Sequence, residues 1–317
     1  MRHQHLTVVA GVVATVLACL LPTVAVVAEE FLYSRAGDIY LMAVDDGGDV
    51  VRDVPLTGHP ANDVGPRWSP DGSRIVFNSD RHGDSQLYFM APDGRNVRPV
   101  TPDERVRKRI GLSSWSRDGR RIAVTVWDDV FVIDAATGQA GLVYTDPAHD
   151  IRSHCRWAPD GIRLALHDGG VDVAILNTDT RELLELPNGR WIEWSRSDLL
   201  VLDEDRRNIV WYSVDGIEMA RHRVPAGGDV QTFAVSPEHD DRLAVFTLER
   251  GGRYALNYWE VGGPRLVNTT ANLGYAAWRG RAGLDARAIS AVPAVWGAIK
   301  AAAHREQVGV RSSPDRL

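Results

Sequence analysis

Two histidines and a cysteine, His149, His154 and Cys155, lie close enough along the chain to suggest a metal site. Imidazole and thiolate groups are ligands that zinc prefers, and a structural zinc site needs four of them. Any further ligand would have to come from a distant part of the chain that the sequence does not identify. We therefore interpret these residues as loop histidines beside a buried thiol, and we predict neither a metal nor a cofactor.

A short acidic segment, Asp80 to Asp84, alternates carboxylates in the manner of a calcium-binding loop. It lacks the remaining oxygen ligands that such a loop supplies. Asp and Gly are also the residues that tight turns require, because both tolerate the backbone angles of a turn. The segment is therefore predicted to be a turn.

Carboxylates cluster at Asp128 and Asp129 and again at residues 203–205, and such groups could serve glycoside hydrolysis, which needs two facing carboxyl groups. Adjacent residues on a strand point to opposite sides, so only residues from different strands could form the pair. No Gly-x-Ser-x-Gly motif marks a nucleophilic serine. We therefore predict that the protein is not an enzyme. The alternative is a protein that binds a carbohydrate or another small ligand. It could also be a glycan-active enzyme that uses carboxylates lining a central channel of the fold.

The composition indicates a folded domain that does not bind nucleic acid. The chain has 317 residues, of which 44% are hydrophobic and 25% charged, with a net charge of -6. A nucleic-acid interface needs a concentrated positive surface, and the basic run from Arg105 to Arg109 is too short to supply one. Two cysteines, 29 glycines and 16 prolines exclude a disulfide scaffold and favour short strands joined by tight turns.

The first 28 residues are predicted to direct export. No charged residue lies between Leu6 and Ala28, and Pro22 and small residues follow the apolar stretch, as in a secretory signal peptide. A segment of this length could also cross the hydrocarbon core of a membrane as a retained anchor. Cleavage is favoured, and anchorage through this segment stays open.

A repeat runs through the rest of the chain. Copies beginning at Trp68, Trp115 and Trp157 each carry Asp-Gly three and four residues after the Trp, and weaker copies begin at Trp194, Val235 and Trp278. The spacings are 47, 42, 37, 41 and 43 residues. A period near this length, with β-branched runs between Gly and Pro turns, is typical of a propeller blade of four antiparallel strands, a to d from the centre outward.

The two ends of the repeat region are expected to complete each other. The segment after residue 29 matches strands b and c with no strand a before them, whereas Trp278 begins a strand a with nothing behind it. We therefore predict an all-β, six-bladed β-propeller of four-stranded antiparallel blades over residues 29–280, closed by the N- and C-terminal strands. Residues 281–317 are predicted to form a tail that is helical in its Ala-rich part and disordered beyond it.

The repeat resembles that of the TolB-type, WD40-like β-propeller family. The resemblance rests on Pro-Arg-Trp-Ser-Pro-Asp-Gly-Ser-Arg-Ile-Val-Phe-Asn-Ser-Asp-Arg at residues 66–81, followed by Leu87-Tyr88 and Asp93-Gly94. It implies a propeller in the periplasm or at the extracytoplasmic face of the bacterial cell envelope that binds other proteins and catalyses no reaction. TolB carries an α/β domain before its propeller, whereas here the repeat begins at Phe31, so the Tol-Pal role itself is not implied.

We expect binding to use the face on which the b-to-c and d-to-a loops emerge, because propeller ligands usually dock on such loops. The candidate binding residues share polar or aromatic side chains predicted to lie on that face: Asp63, Asp80, Arg109, Arg152, His154, Arg190, Trp191 and Asp229. Their mixed charges suit a protein or peptide partner. The sequence thus predicts a secreted, monomeric protein-binding module.

Overall fold

The computed structural model describes residues 29–45, 49–107, 110–145, 154–167, 172–224, 229–235, 242–248, 254–260, 263–267 and 276–281. The predictions for residues 1–28 and for the tail after residue 281 lie outside these ranges. All regular secondary structure in the described part is β-strand. None of the described residues forms a helix long and apolar enough to span a membrane.

Twenty-four strands form six antiparallel sheets of four strands. The first sheet consists of β1 (Glu29–Arg35), β2 (Asp38–Val44), β3 (Val50–Pro55) and β24 (Ala276–Arg281). The second consists of β4 (Asp63–Trp68), β5 (Ile75–Ser79), β6 (Gln86–Met90) and β7 (Arg98–Pro99). The third consists of β8 (Ser114–Trp115), β9 (Arg121–Val126), β10 (Asp129–Asp134) and β11 (Ala140–Thr145).

The second half of the chain continues the same order. The fourth sheet consists of β12 (His154–Trp157), β13 (Arg163–His167), β14 (Val173–Asn177) and β15 (Leu183–Leu186). The fifth consists of β16 (Gly189–Trp194), β17 (Leu199–Asp203), β18 (Asn208–Tyr212) and β19 (Glu218–Arg223). The sixth consists of β20 (Asp229–Val235), β21 (Arg242–Leu248), β22 (Tyr254–Glu260) and β23 (Gly263–Val267).

The all-β propeller predicted from the repeat is confirmed, but the predicted count of six blades needs correction. Counted as contiguous stretches of chain, the structure has five blades, which are β4–β7, β8–β11, β12–β15, β16–β19 and β20–β23. The remaining four-stranded sheet is a composite in which β24 pairs with β1. The repeat copy at Trp278 supplies only this one inner strand, so counting repeat anchors yields one more than the number of contiguous blades.

The innermost strands surround a central channel. They contact one another in the order β24, β4, β8, β12, β16 and β20, and β20 returns to β24. We call the side with the turns at 36–37, 80–85, 127–128 and 204–207 the loop face, and the side with the turns at 69–74, 116–120, 158–162 and 195–198 the turn face. The inner strands run from the loop face to the turn face.

The repeat sequence explains the strands and turns that it forms. Ile75, Val76 and Phe77 are all fully buried, because a middle strand is covered on both sides by neighbouring sheets. In the turn that follows Trp68, the Gly72 N–H donates to the Ser69 carbonyl oxygen at 2.8 Å, and Gly72 has a φ of +67°. Glycine adopts this left-handed angle without steric cost, which is why the repeat has Gly at this place.

The arginine that closes each turn links neighbouring sheets. Arg74 lies over the Trp115 ring of the next sheet at 5.2 Å, and Arg121 lies over the Trp157 ring at 4.6 Å. The Arg121 Nη2 also donates to the Gly161 carbonyl oxygen at 2.7 Å. Cation–π contacts and charge-assisted hydrogen bonds therefore attach each repeat to the one that follows.

Candidate functional site

The loop face is held together by polar contacts around β4 and β5. Asp63 is fully buried, and its two carboxylate oxygens each accept a hydrogen bond of 2.9 Å from Arg81 Nη2. Arg81 also lies over the Tyr88 ring at 4.9 Å. A buried carboxylate paired in this way orients a loop and is not available to a partner. Asp63 is therefore a positioning residue on this face.

The neighbouring turn carries side chains that are open to solvent. The Asp80 Oδ1 accepts a hydrogen bond of 2.8 Å from the Asn62 backbone N–H, which joins the b-to-c turn to the preceding loop. Asp80, His82 and Asp84 are all exposed. The prediction that residues 80–84 form a turn agrees with the Gly83 N–H bond to the Asp80 carbonyl at 2.8 Å. These side chains form one polar edge of the loop face.

Trp127 is an exposed aromatic residue on the loop face that sequence reasoning missed. It is the first residue of the two-residue turn between β9 and β10, has a φ of +55° and is 42% exposed. A bulky residue in this left-handed conformation costs about 1 to 2 kcal/mol, and Gly or Asn normally occupies the position. The sequence signal was a Trp directly before Asp128 and Asp129, where a turn residue belongs.

Several predicted binding residues lie inside the propeller and not in loops. Asp63, His154 and Trp191 are buried and belong to β4, β12 and β16, so their expected placement in exposed loops was wrong. These strands begin earlier than the sequence indicates, because inner-strand pairing extends into the polar segments before the repeat Trp.

The other predicted binding residues differ in their surroundings. Asp229 is exposed at the start of β20, and Arg190 is half-buried at a bulge in β16. Arg109 and Arg152 lie outside the described residues, as does His149. The structure therefore places only Asp80 and Asp229 of the predicted set on an exposed surface of the described part.

Apolar and aromatic side chains fill the channel below the loop face. Leu112 packs in one cluster with Trp191 and Phe233 and lies so close to Gly65 that a β-carbon there would overlap with it. The Trp191 ring lies 4.6 Å from the ring of His154, and its indole N–H donates to the Phe233 carbonyl oxygen at 2.9 Å. Trp191 is thus a buried part of the channel and not a binding platform at its mouth.

Near the turn face, a buried ion cluster crosses the channel. Arg67 Nη2 lies 3.1 Å from Glu193 Oε1, and Arg156 Nε lies 3.1 Å from the same oxygen. These three residues each directly precede a repeat tryptophan, namely Trp68, Trp157 and Trp194. Since successive residues on a strand point to opposite sides, a tryptophan between the sheets sends its predecessor into the channel.

Burial changes the protonation behaviour of the channel residues. Burial, together with the neighbouring Arg156 charge, lowers the pKa of Arg67 to about 10 although Glu193 opposes the shift. Burial and the nearby guanidinium groups hold the pKa of His154 well below its ordinary value, so this imidazole is neutral. Burial also raises the pKa of Cys155 to about 12, which keeps it a thiol.

Within the described residues, the channel contains neither a metal site nor a pair of facing carboxylates suited to catalysis. No group of three or more His, Cys, Asp or Glu side chains there could hold a metal ion. The Glu193 carboxylate faces two guanidinium groups, whereas glycoside hydrolysis needs two carboxyl groups facing the substrate. What the geometry does provide is an exposed loop face above a filled channel.

Comparison with known proteins agrees with the propeller fold. Residues 22–127 match the family model of the TolB beta propeller domain. The chain is 35% identical over 92 residues to the Tol-Pal system protein TolB of Anaeromyxobacter dehalogenans, which is 28% of this chain and 20% of that protein. It is 37% identical over 94 residues to the uncharacterized peptidase YuxL of Bacillus subtilis, which is 29% of this chain and 13% of that protein. The chain thus spans a fifth or less of the length of these relatives.

Two solved structures are similar in fold. TolB from Acinetobacter baumannii has a TM-score of 0.61 at 15% identity, over 80% of this chain and 66% of that one. A chain of the nidogen/laminin complex has a TM-score of 0.63 at 9% identity, over 79% of this chain and 98% of that one. At such low identity, these similarities show the propeller fold and nothing more specific.

Proposed function

Because this chain carries repeats of the TolB-type β-propeller family, we propose that it is a non-enzymatic protein-interaction module of the bacterial cell envelope that binds a protein partner on its loop face. Export through the first 28 residues would place the propeller in the periplasm or at the extracytoplasmic face of the cell envelope. The relatives named as components of the Tol-Pal system support an envelope location.

Trp127 is the observation that carries the proposal. The residue is 42% exposed on the loop face, and its backbone adopts an angle that Gly or Asn would adopt at lower cost. Strained residues of this kind cluster at functional sites, and tryptophan is among the residues that dominate protein interfaces. The exposed polar residues Asp80, His82 and Asp229 suit the rim of such an interface.

The filled channel further supports binding of a partner at the surface, because it leaves no room for a catalytic site inside the channel. Leu112, His154 and Trp191 occupy the space where a saccharide would have to enter from the loop face. The single carboxylate of the ion cluster, Glu193, is held by two arginines. No observation in the described part of the chain therefore favours the alternative of a glycan-active enzyme.

The test compares two variants of the full chain that each remove one exposed apolar side chain from the same sheet. Trp127→Ala removes the proposed anchor, and Leu142→Ala removes a residue of β11 that is 47% exposed away from the loop face. The wild-type protein, cross-linked in the envelope fraction of its native cell, identifies the partner, and binding is then measured with purified components. We expect Trp127→Ala to weaken binding at least tenfold and Leu142→Ala to leave it unchanged.

Equal binding by the wild type and Trp127→Ala would contradict the proposed loop-face site. Thermal unfolding of both variants separates lost binding from lost stability. Cell fractionation with mass spectrometry of the N-terminus tests the location independently, because a cytoplasmic protein that begins at Met1 would exclude export.

A further inference from the structure

Exposed apolar side chains collect where the fourth and fifth sheets meet beside the turn face. The described part of the chain has eight large apolar side chains that are exposed, and four of them lie on these two sheets. They are Ile162, Leu184, Ile217 and Met219, which are 42%, 41%, 64% and 53% exposed and which we call the apolar patch. Single exposed apolar residues are ordinary, whereas a group on adjacent sheets marks a surface that another segment covers.

Leu184 packs against the turn that precedes Ile217 and Met219. A β-carbon added at Gly216 would lie 2.8 Å from Leu184 Cδ2, so the leucine side chain lies directly over the turn between β18 and β19. Gly216 leaves space for the leucine because it has no β-carbon, and its φ is +77°. Three members of the patch are therefore gathered around this one turn.

An ion pair brings the fourth member to the same place. Ile162 ends the turn between β12 and β13, and Nη2 of the next residue, Arg163, lies 3.9 Å from Asp215 Oδ1. Asp215 directly precedes Gly216 in the turn between β18 and β19. The Arg163 and Asp215 side chains are 30% and 74% exposed, so the pair forms a polar border of the patch.

The chain that follows β24 leaves the propeller on the side of the patch. β24 runs toward the turn face and ends at Arg281, and only β20 lies between β24 and β16 in the ring of inner strands. The patch lies two to three sheet spacings along the ring and three strand spacings outward, roughly 25 Å and 15 Å. About fifteen extended residues cover roughly 50 Å, so the chain reaches the patch by residue 296.

The sequence has a segment of matching chemistry at this distance. No charged residue occurs at residues 288–299, which we call the C-terminal apolar segment. Within it, Val292, Val295, Trp296 and Ile299 occupy positions i, i+3, i+4 and i+7, the spacing of one apolar face of a helix. Pro293 stands near the start of this pattern, where the first turn of a helix tolerates proline.

We propose that the C-terminal apolar segment packs on the apolar patch of its own chain, with its Trp296 side against Leu184 and Ile217. Contact removes apolar area of both surfaces from water, which is the main driving force for such packing. Tethering gives the segment an effective concentration at the patch on the order of millimolar, which favours it over a second copy. The contact lies opposite the loop face and leaves that face free. The inference therefore does not depend on the loop-face function.

The experiment forms disulfides between cysteine pairs introduced into the full chain. Ile217→Cys combined with Ile299→Cys tests the proposed contact. Val51→Cys combined with Ile299→Cys is the matched control, since Val51 is 52% exposed on β3, outside the patch. After mild oxidation, mass spectrometry of the peptides identifies which cysteines are joined. We expect the first pair to form the disulfide within one chain at least fivefold more completely than the control pair.

Three results would overturn the proposal. Equal yields from the two pairs would show no preference for the patch. Disulfides between chains, with a yield that rises with protein concentration, would assign the patch to a second copy. A disulfide between Cys19 and the cysteine introduced at Ile217 would assign it to the N-terminal apolar stretch.

Thermal unfolding tests the same contact without a cross-link. Ile217→Ala and Trp296→Ala are each expected to lower the midpoint, and the double variant is expected to lower it by less than the sum of the two shifts. Val51→Ala combined with Trp296→Ala should be additive. Additive shifts for the Ile217 pair would contradict the contact. Loss of partner binding by Trp127→Ala influences none of these readouts, so the two proposals fail separately.

Discussion

Arg67 and Glu193 are 126 residues apart in the chain, yet Arg67 Nη2 lies 3.1 Å from Glu193 Oε1. The two residues belong to β4 and β16, which are not neighbours in the ring of inner strands, so their contact spans the central channel. Together with Arg156, this ion pair ties three sheets to one another at the turn face. These contacts therefore join strands from opposite sides of the ring.

Glu193→Gln should lower the free energy of unfolding by on the order of 3 kcal/mol, because it leaves two buried guanidinium groups without their counter-ion. The control is Glu218→Gln, which breaks the surface ion pair between Glu218 and Arg221, whose side chains are 43% and 45% exposed. Exposed pairs contribute about 0 to 1 kcal/mol. Urea unfolding of both variants measures the difference, and equal losses would contradict a stabilising role for the channel cluster.

His154 should make the protein sensitive to mild acid. Its pKa is lowered in the folded state by burial and by the Arg156, His167 and Arg67 charges, so below the unfolded value of 6.5 the unfolded chain binds the extra proton. The contribution of His154 to the free energy of unfolding is fully present above pH 6.5. It falls as the pH drops toward the lowered pKa of the folded state. The slope approaches about 1.4 kcal/mol per pH unit.

The variant His154→Gln tests this dependence, since glutamine keeps a polar side chain of similar size and does not titrate. Urea unfolding at pH 7 and at pH 5 should show a smaller loss of stability for the variant than for the wild type. Every other histidine is present in both proteins, so the difference isolates His154. Parallel losses would show that His154 does not couple protonation to folding.

Gly94→Ala should destabilise the protein more than Gly83→Ala, although both glycines have left-handed φ angles of +81° and +96°. A β-carbon at Gly94 would overlap with the Leu56 carbonyl oxygen, whereas nothing lies within 4 Å of one at Gly83. Backbone strain costs each variant about 1 kcal/mol, and only Gly94→Ala adds the clash. Thermal unfolding compares the two, and equal midpoints would show that Leu56 moves freely.

Cys155 should be inert toward thiol reagents in the folded protein. Its side chain is fully buried, and burial raises its pKa to about 12, so almost no reactive thiolate forms at neutral pH. Alkylation followed by mass spectrometry of the peptide that contains Cys155 should detect modification only after denaturation. Rapid labelling under native conditions would show that β12 opens readily.

The repeat made much of the fold predictable from sequence. Its tryptophans, Asp-Gly turns and apolar runs recur at the length of one blade, and these local preferences determine where strands and turns form. The pairing of both chain ends also followed from the pattern. The predicted count of six blades was wrong, because the repeat at Trp278 contributes only β24 to a composite sheet.

The candidate site was less predictable, since polar residues before a strand have the same appearance in sequence whether they lie in a loop or pair with the next strand. Asp63, His154 and Trp191 were expected in exposed loops, and the structure buries them in inner strands. Trp127 was missed because a turn tryptophan has no periodic pattern, and only its backbone angle and exposure mark it as unusual.

The sequence by itself determined that the chain forms a β-propeller. It also determined that the residues directly before the repeat tryptophans occupy equivalent positions on the inner strands. Only the tertiary structure decided which of these equivalent positions meet in the channel. Arg67, Arg156 and Glu193 come together because the closed ring of sheets brings distant segments within a few ångströms. Local sequence patterns encode the strands, whereas side-chain contacts across the ring depend on how all the strands pack together.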